Sequence, residues 1–209
     1  YDYVETIGFD YGQRHHIELK IRQQFIHHLY LNFPELGKKL REDHFVNAKN
    51  LGEIGKTAMT EDVKIAFDKN GLPNTFVPAR NLYFFTLAAA VGYRRNIKEL
   101  VGGMCETDFS GYPDCRRNTM DALQSALSLG TDTKFEIQTP LMWIDKASTW
   151  AFASELGGDA FVDMIIQDTH TCYIGEREKK YDWGFGCGSC PACELRKNGY
   201  EQWKGKTND

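Results

Sequence analysis

What this chain lacks already narrows its function. No apolar run approaches the roughly 18 residues that a membrane-crossing helix needs, and none of its 209 residues form a secretion-signal pattern. Positive charge is not in excess: 25 Lys and Arg face 29 Asp and Glu, for a net charge of -4 and a pI near 5.9. Proteins that coat nucleic acid usually offer a basic face, so direct nucleic-acid binding is not expected and a small ligand is the better default. Repeats, low-complexity tracts and linkers are missing as well. Cysteine is scarce, six residues in all, and four of them fall within one short stretch. Thiols gathered in that way look reserved for a metal, which places the protein in a reducing cytoplasm with no membrane partner.

What is present suits a globular protein. At 209 residues, with 42% hydrophobic and 13% aromatic content, the chain can bury a core without disulfide support. It does not begin with methionine, and Tyr3 to Phe9 reads as a strand already under way, so a preceding piece is expected.

The cysteine stretch organises the rest. Cys187, Cys190 and Cys193 repeat as C-x2-C-x2-C, and Cys172 stands upstream as a fourth ligand. Thiolates suit the borderline-soft Zn2+ ion in a tetrahedral cage, and two-residue spacers let neighbouring sulfurs turn toward one centre. Gly186, Gly188, Ser189 and Pro191 supply the small and turn-forming residues of a knuckle. A closed structural zinc site is the preferred reading. Disulfides or free thiols and an iron–sulfur cluster are its rivals, and His170 is the second choice for the fourth ligand.

Along the chain, strands alternate with helices. The strand near Tyr3–Phe9 ends in the polar Asp10-Tyr11-Gly12-Gln13. Ile17, Ile21, Phe25 and Leu29 then recur at helical spacing until Pro34. His15 and His16, at the start of that helix, read as surface or capping residues rather than ligands. His44–Ala48 is a second strand, and residues 50 to 75, broken by Gly52, Gly55, Gly71 and Pro73, form a long loop. Leu82, Phe85, Ala89 and Tyr93 share one face of a helix. A strand at Glu99–Gly103 opens onto a loop from Met104 to Arg116 that carries three carboxylates, two thiols and an arginine. Such a loop between a strand and a helix is a natural place for chemistry. The plainer alternative has Asp114 capping the helix that runs from Arg117 to Leu129. A strand at Phe135–Gln138 and a helix at Lys146–Leu156, capped by Asp145, follow. This alternation specifies a parallel α/β sheet with its ligand crevice at the carboxyl edge.

Five segments then resemble, in order, the 7-cyano-7-deazaguanine synthase family. They are Phe9-Asp10-Tyr11-Gly12-Gln13-Arg14-His15, Thr75-Phe76-Val77-Pro78-Ala79-Arg80-Asn81, the run from Cys105 to Arg116, Pro140-Leu141-Met142-Trp143-Ile144-Asp145-Lys146, and the cysteine knuckle. The resemblance covers essentially the whole chain. It implies an adenine nucleotide alpha hydrolase-like α/β fold, a parallel sheet flanked by helices, over residues 1–165, with a zinc-binding C-terminal region at 166–209. It also implies that 7-carboxy-7-deazaguanine, ammonia and ATP, with Mg2+, yield a nitrile on the route to queuosine through an adenylated acid and an adenylated amide. A homodimer is the expected assembly. The family's pyrophosphate loop, Ser-Gly-Gly-x-Asp-Ser, belongs ahead of Phe9 and does not occur here, so that loop and the first strand are expected in residues preceding Tyr1.

On these segments the candidate catalytic residues are Asp108, Glu106 and Lys146. Candidates for nucleotide or substrate binding are Asp10, Tyr11, Gln13, Arg14, Arg80, Asn81, Thr107, Ser110 and Arg116, with all the strand-end loops expected to converge on one crevice. Asp108, near the middle of the acidic loop, is the choice for orienting substrate or accepting a proton. Arg80 is the choice for pairing with a carboxylate or phosphate, because its planar fork matches either anion. Three other readings stay open: an adenylating enzyme that stops at the amide or uses a different nucleophile, covalent catalysis by Cys105, and a zinc-ribbon module that binds nucleic acid or protein, with Arg196, Lys197, Lys204 and Lys206 as a small basic cluster.

Overall fold

The β-branched and aromatic start of the chain forms β1 (Val4–Asp10), and β2 (Leu40–Asn47) pairs with it in parallel, from Val4 opposite Leu40 to Asp10 opposite Asn47. Both strands therefore end on the same edge, where the Asp10 carbonyl accepts the Ala48 N–H at 2.6 Å. The computed structural model that shows this describes residues 1–67, 69, 71–106 and 111–207, the last two by their backbone alone. The chain groups into two compact units, Tyr1–Glu53 with Lys146–Asp209, and Ile54–Asp145.

In the first unit, β1 and β2 are joined through α1 (Ile17–Asn32) and α2 (Pro34–Gly37). Pro34 lacks the N–H that would continue α1, but it fits the first turn of a new helix. β2 starts earlier than the expected His44, because Arg41, Glu42 and Asp43 are exposed and hide the strand from any hydrophobic pattern. Glu42 and Asp43 are paired with other side chains, and Arg41 donates to the Lys38 and Leu40 carbonyls. Asp43 accepts bonds from Arg22 of α1 and from the Thr6 hydroxyl of β1, and His44 meets Glu5 at 2.7 Å.

α3 (Asn50–Ile54) opens the stretch expected to be loop. Later in that stretch the Asn74 side chain ties the backbone together, donating to Lys64 O and accepting from Ala66 N, both at 2.9 Å.

The helix expected over Lys146–Leu156 is α6 (Lys146–Asp168), which continues past an interruption at Gly158 (φ 63°, ψ -164°). Gly157-Gly158 hides the continuation in sequence, yet Val162 and Ile166 beyond it share a buried face with Ala147, Trp150 and Ala153. That face packs on α7 (Pro191–Thr207) through Trp203, whose ring stacks with Trp150 at 6.2 Å. His28 Nδ1 on α1 also meets Asp168 Oδ2 at 2.6 Å. A boundary between 1–165 and 166–209 is expected from sequence, whereas the structure runs α6 through residue 165 and groups the C-terminal segment with the first unit.

The second unit contains α4 (Arg80–Arg95), β3 (Glu99–Val101), a 3-10 turn at Pro113–Cys115, α5 (Arg117–Thr131) and β4 (Glu136–Gln138). β3 and β4 are parallel, with Val101 opposite Gln138. Phe85 and Ala89 of α4, and Met120 and Leu127 of α5, close over Leu100, Phe135, Ile137 and Met142. The fold class is the expected one, α/β with parallel strands and helices and a C-terminal cysteine knuckle. Among the described residues the parallel strands come as one pair in each unit. No described helix is long and apolar enough to cross a membrane.

Candidate functional site

β5 (Lys180–Tyr181) and β6 (Gly184–Phe185) form a short antiparallel hairpin that leads to Cys187. Pro191 then starts α7, so Cys190 directly precedes the helix and Cys193 lies in its first turn. Cys172 comes from the segment after α6. The sulfurs of Cys172, Cys187, Cys190 and Cys193 all lie within 4.8 Å of one another. A tetrahedral zinc ion with Zn–S bonds of ~2.3 Å separates its sulfurs by about 3.8 Å, and Cys187 and Cys193 stand 3.9 Å apart. The span therefore suits one ion, and a cluster would have to fit several irons and sulfides into it. Nor are these disulfides: 3.9 Å is far beyond the ~2.05 Å of an S–S bond.

The backbone favours the thiolates that a metal requires. Cys187 Sγ accepts the N–H of Ser189 at 3.4 Å and of Cys190 at 3.2 Å, while Cys172 Sγ accepts the N–H of Cys187 at 3.4 Å. The N-terminus of α7 adds its positive dipole end. Thiol hydrogen bonds from Cys190 and Cys193 hold Cys172 far below the usual thiol range, and the same contact pushes Cys190 up to about 11. Gly186 is required here, because a Cβ would sit 2.6 Å from Cys193 Sγ. His170 lies outside the four-sulfur set. Burial lowers its pKa, and neither ring nitrogen has a hydrogen-bond partner among the described residues.

Arg196 departs from its sequence assignment. Placed by sequence in a basic surface cluster, it is 7% exposed and donates to Trp183 O at 2.7 Å, Thr169 Oγ1 at 2.7 Å and Ile165 O at 3.1 Å. It lies 5.3 Å over the Trp150 ring. Burial, with repulsion from Arg177, lowers its pKa to about 10. It is thus a staple between α6, the hairpin and α7, and the proposed nucleic-acid face loses a member; the Lys206 side chain lies outside the described residues. Arg196→Met should destabilise the protein by roughly 3 kcal/mol or more, since three acceptors lose a charged donor. Denaturant unfolding measures this, and a change below about 1 kcal/mol would show that solvent satisfies those acceptors.

The strand-end loops divide between the units. In the first, Asp10, Tyr11 and Gln13 are buried and fold their own loop. Asp10 Oδ1 accepts Gly12 N at 3.2 Å and its Oδ2 lies 3.3 Å from Lys49 Nζ. Gln13 bridges the loop, accepting from Tyr11 N at 2.9 Å and donating to Phe9 O at 3.3 Å. Arg14 and Lys146 are half-buried. At Gly199 on α7 a Cβ would sit 2.4 Å from Lys146 Cβ, so a glycine there lets α7 approach the start of α6. His15 packs against Gly175 instead of sitting on the surface.

In the second unit, the acidic loop leaves β3 and is pinned to the segment after β4, with Glu106 N on Met142 O at 3.0 Å and Cys105 Sγ on Ile144 O at 3.0 Å. Cys105 is buried with its thiol committed to that carbonyl, an arrangement that lines a wall rather than exposing a nucleophile. The cap on α5 that the plainer alternative gave to Asp114 comes from Glu106, whose Oε2 accepts Arg117 N at 2.9 Å. Asp114, 4% exposed, accepts Asn81 N at the start of α4 at 3.0 Å. Asn81 Nδ2 donates to Cys115 Sγ at 3.3 Å. Burial and the Asp114 carboxylate push the Cys115 thiol up to about 11, against the opposing pull of Arg80. Arg80 is half-buried and Arg116 is exposed. Thr107, Asp108 and Ser110 lie outside the described residues.

Sequence reasoning missed Arg117. It grips Asp121 and reaches Thr139 Oγ1 at 2.9 Å, fixing the start of α5 to the end of β4. The Arg-x-x-x-Asp spacing at 117 and 121 was the available signal. Arg196 and Trp183 were also missed as supports of the knuckle.

The family model described as queuosine biosynthesis protein QueC matches residues 1–204 of this chain. The 7-cyano-7-deazaguanine synthase of Paraburkholderia phymatum is 60% identical over 203 residues, which are 97% of this chain and 84% of that protein. The synthases of Bordetella pertussis and Burkholderia cenocepacia are each 59% identical over 203 residues, 97% of this chain and 83% of theirs.

Proposed function

Since this chain belongs to the queuosine biosynthesis protein QueC family, we propose that it is an ATP-dependent nitrile synthase acting in the cytoplasm, which converts 7-carboxy-7-deazaguanine and ammonia to 7-cyano-7-deazaguanine. The observation that carries this reading is the similarity over 97% of the chain to proteins of that name.

The chemistry follows from what a carboxylate cannot do unaided. It is a poor electrophile, so its oxygen attacks the α-phosphorus of ATP, expelling pyrophosphate and leaving an acyl adenylate. Ammonia adds to the acyl carbon, AMP departs with the C–O bond electrons, and the released proton goes to a base. The amide oxygen then attacks a second ATP, and loss of AMP together with the remaining N–H protons gives the nitrile. Two ATP become two AMP and two pyrophosphate.

In this reading Asp108 orients the substrate or takes the protons, and Glu106 anchors the loop that carries it through its bond to Arg117 N. Lys146 and Arg80 offset phosphate or carboxylate charge. Asp10, Tyr11, Gln13, Arg14, Asn81, Thr107, Ser110 and Arg116 are the further candidates for binding nucleotide or substrate. Mg2+ arrives with the triphosphate, whose charge it screens. Among the described residues the four cysteines alone gather three or more metal-ligating side chains of this kind, so no carboxylate cage waits for it there. The knuckle holds zinc, which supplies structure and no reaction step.

Full-length protein incubated with 7-carboxy-7-deazaguanine, ammonium and ATP tests the proposal. Formation of nitrile alone supports it. Accumulation of the amide as end product would move the protein to the neighbouring amide-forming reaction.

A further inference from the structure

α4 begins in an unusual way. Its N-cap residue, Ala79, has a left-handed backbone (φ 61°, ψ 13°) and supplies no side-chain cap. An alanine pays for that conformation with a Cβ clash that glycine avoids, so the surroundings must hold it there. The side chains that do so come from the 3-10 turn Pro113–Cys115, on the far side of the acidic loop. Asp114 Oδ2 takes the Asn81 N–H at 3.0 Å, and Cys115 Sγ takes the Asn81 side-chain N–H at 3.3 Å. Tyr112, just before the turn, adds a hydroxyl contact to Thr75 at 2.5 Å and a stack on Phe76 at 5.4 Å. The segment from Thr75 to Asn81 is therefore clamped at both ends, by Tyr112 at Thr75 and Phe76 and by Asp114 and Cys115 at Asn81. Arg80 is the residue between the left-handed Ala79 and the capped Asn81.

We propose that Asp114 is a positioning residue: by capping α4 through Asn81 N–H it fixes the strained Ala79 turn and so aims the Arg80 guanidinium at the anionic group of the ligand, a carboxylate or a phosphate. This rests on the role given to Arg80 in the proposed function. A guanidinium must be held within about 0.5 Å to engage an anion in two-point fashion. A fixed backbone beside Arg80 removes freedom that would otherwise be lost on binding.

The test is a double-mutant cycle read by binding, so that it does not depend on turnover. Calorimetric affinities for 7-carboxy-7-deazaguanine and for ATP are measured on the full-length protein and on Arg80→Ala, Asp114→Ala, Asp114→Asn and the double alanine variant, each with its thermal midpoint. Asp114→Ala should weaken, about tenfold or more, the same ligand that Arg80→Ala weakens. The double variant should be little worse than Arg80→Ala alone. Asp114→Asn, which keeps an oxygen acceptor for Asn81 N–H, should restore most of the loss. If Asp114→Ala does not fold, Ala79→Gly asks the same question by freeing the turn, and it should weaken that ligand severalfold. A lowered midpoint with unchanged affinity, additive losses, or Arg80→Ala binding both ligands normally would each overturn the proposal. Wild-type protein that binds the acid and ATP without forming nitrile would instead overturn the proposed function and leave this inference standing.

Discussion

Stripping the metal from this protein should release one zinc ion per chain and lower the thermal midpoint by on the order of 10 °C or more. The reason lies in how little else holds the knuckle. β5 and β6 are two residues each, and an isolated hairpin of that size has no stability of its own in water. Four cysteines brought within 4.8 Å supply the cross-link, and structural zinc sites contribute apparent free energies of about 10–16 kcal/mol at neutral pH. The loss would spread, because Gly186 packs on Cys193, and Arg196 carries Trp183 and the end of α6 on α7. Cys193→Ser, at the least exposed of the four sulfurs, should act as chelation does. Acid should act in the same direction, since the metal binds thiolates and protons compete for them as the pH falls. Metal analysis and melting curves on holo and stripped protein measure the effect. Equal midpoints would mean that the knuckle holds without its ion.

Arg80→Ala and Asp108→Asn should fail in different ways. In the proposed function Arg80 holds an anion at two points, so loss of the guanidinium should cost a few kcal/mol of binding, or roughly a hundredfold. It should appear mainly in KM for 7-carboxy-7-deazaguanine or ATP. Arg80→Lys should recover only part of it, because a point charge does not reproduce a planar fork. Asp108→Asn keeps the size and polarity of the side chain but cannot take a proton, so it should lower kcat by about 10²-fold or more with KM little changed. Steady-state kinetics with each substrate varied in turn separates the two patterns. Near-normal kinetics in both variants would reduce the segment to scaffolding.

The sequence made some of this legible and hid the rest for physical reasons. The four-cysteine set was readable because metal ligation constrains residue type and spacing together, and the structure gathers the same four residues. α1, α5 and β1 were readable from periodicity and their breakers. β2 was read short because its first half is charged, and its partners Arg22 and Thr6 are distant in the chain. The second half of α6 was lost behind Gly157-Gly158, where the usual stop signal is only an interruption. Arg196 was misplaced on the surface, as most arginines would correctly be; its burial depends on three oxygens from two other segments. The caps were exchanged for the same reason. Asp114 stands nearest in sequence to α5, yet it serves α4, and Glu106 from the start of the loop serves α5.

The measurement that bears most directly on the central claim is the nucleotide and product balance of full-length protein supplied with 7-carboxy-7-deazaguanine, ammonium and ATP. Two AMP and two pyrophosphate for each nitrile formed is the predicted result, whereas ADP and phosphate in their place would contradict adenylation.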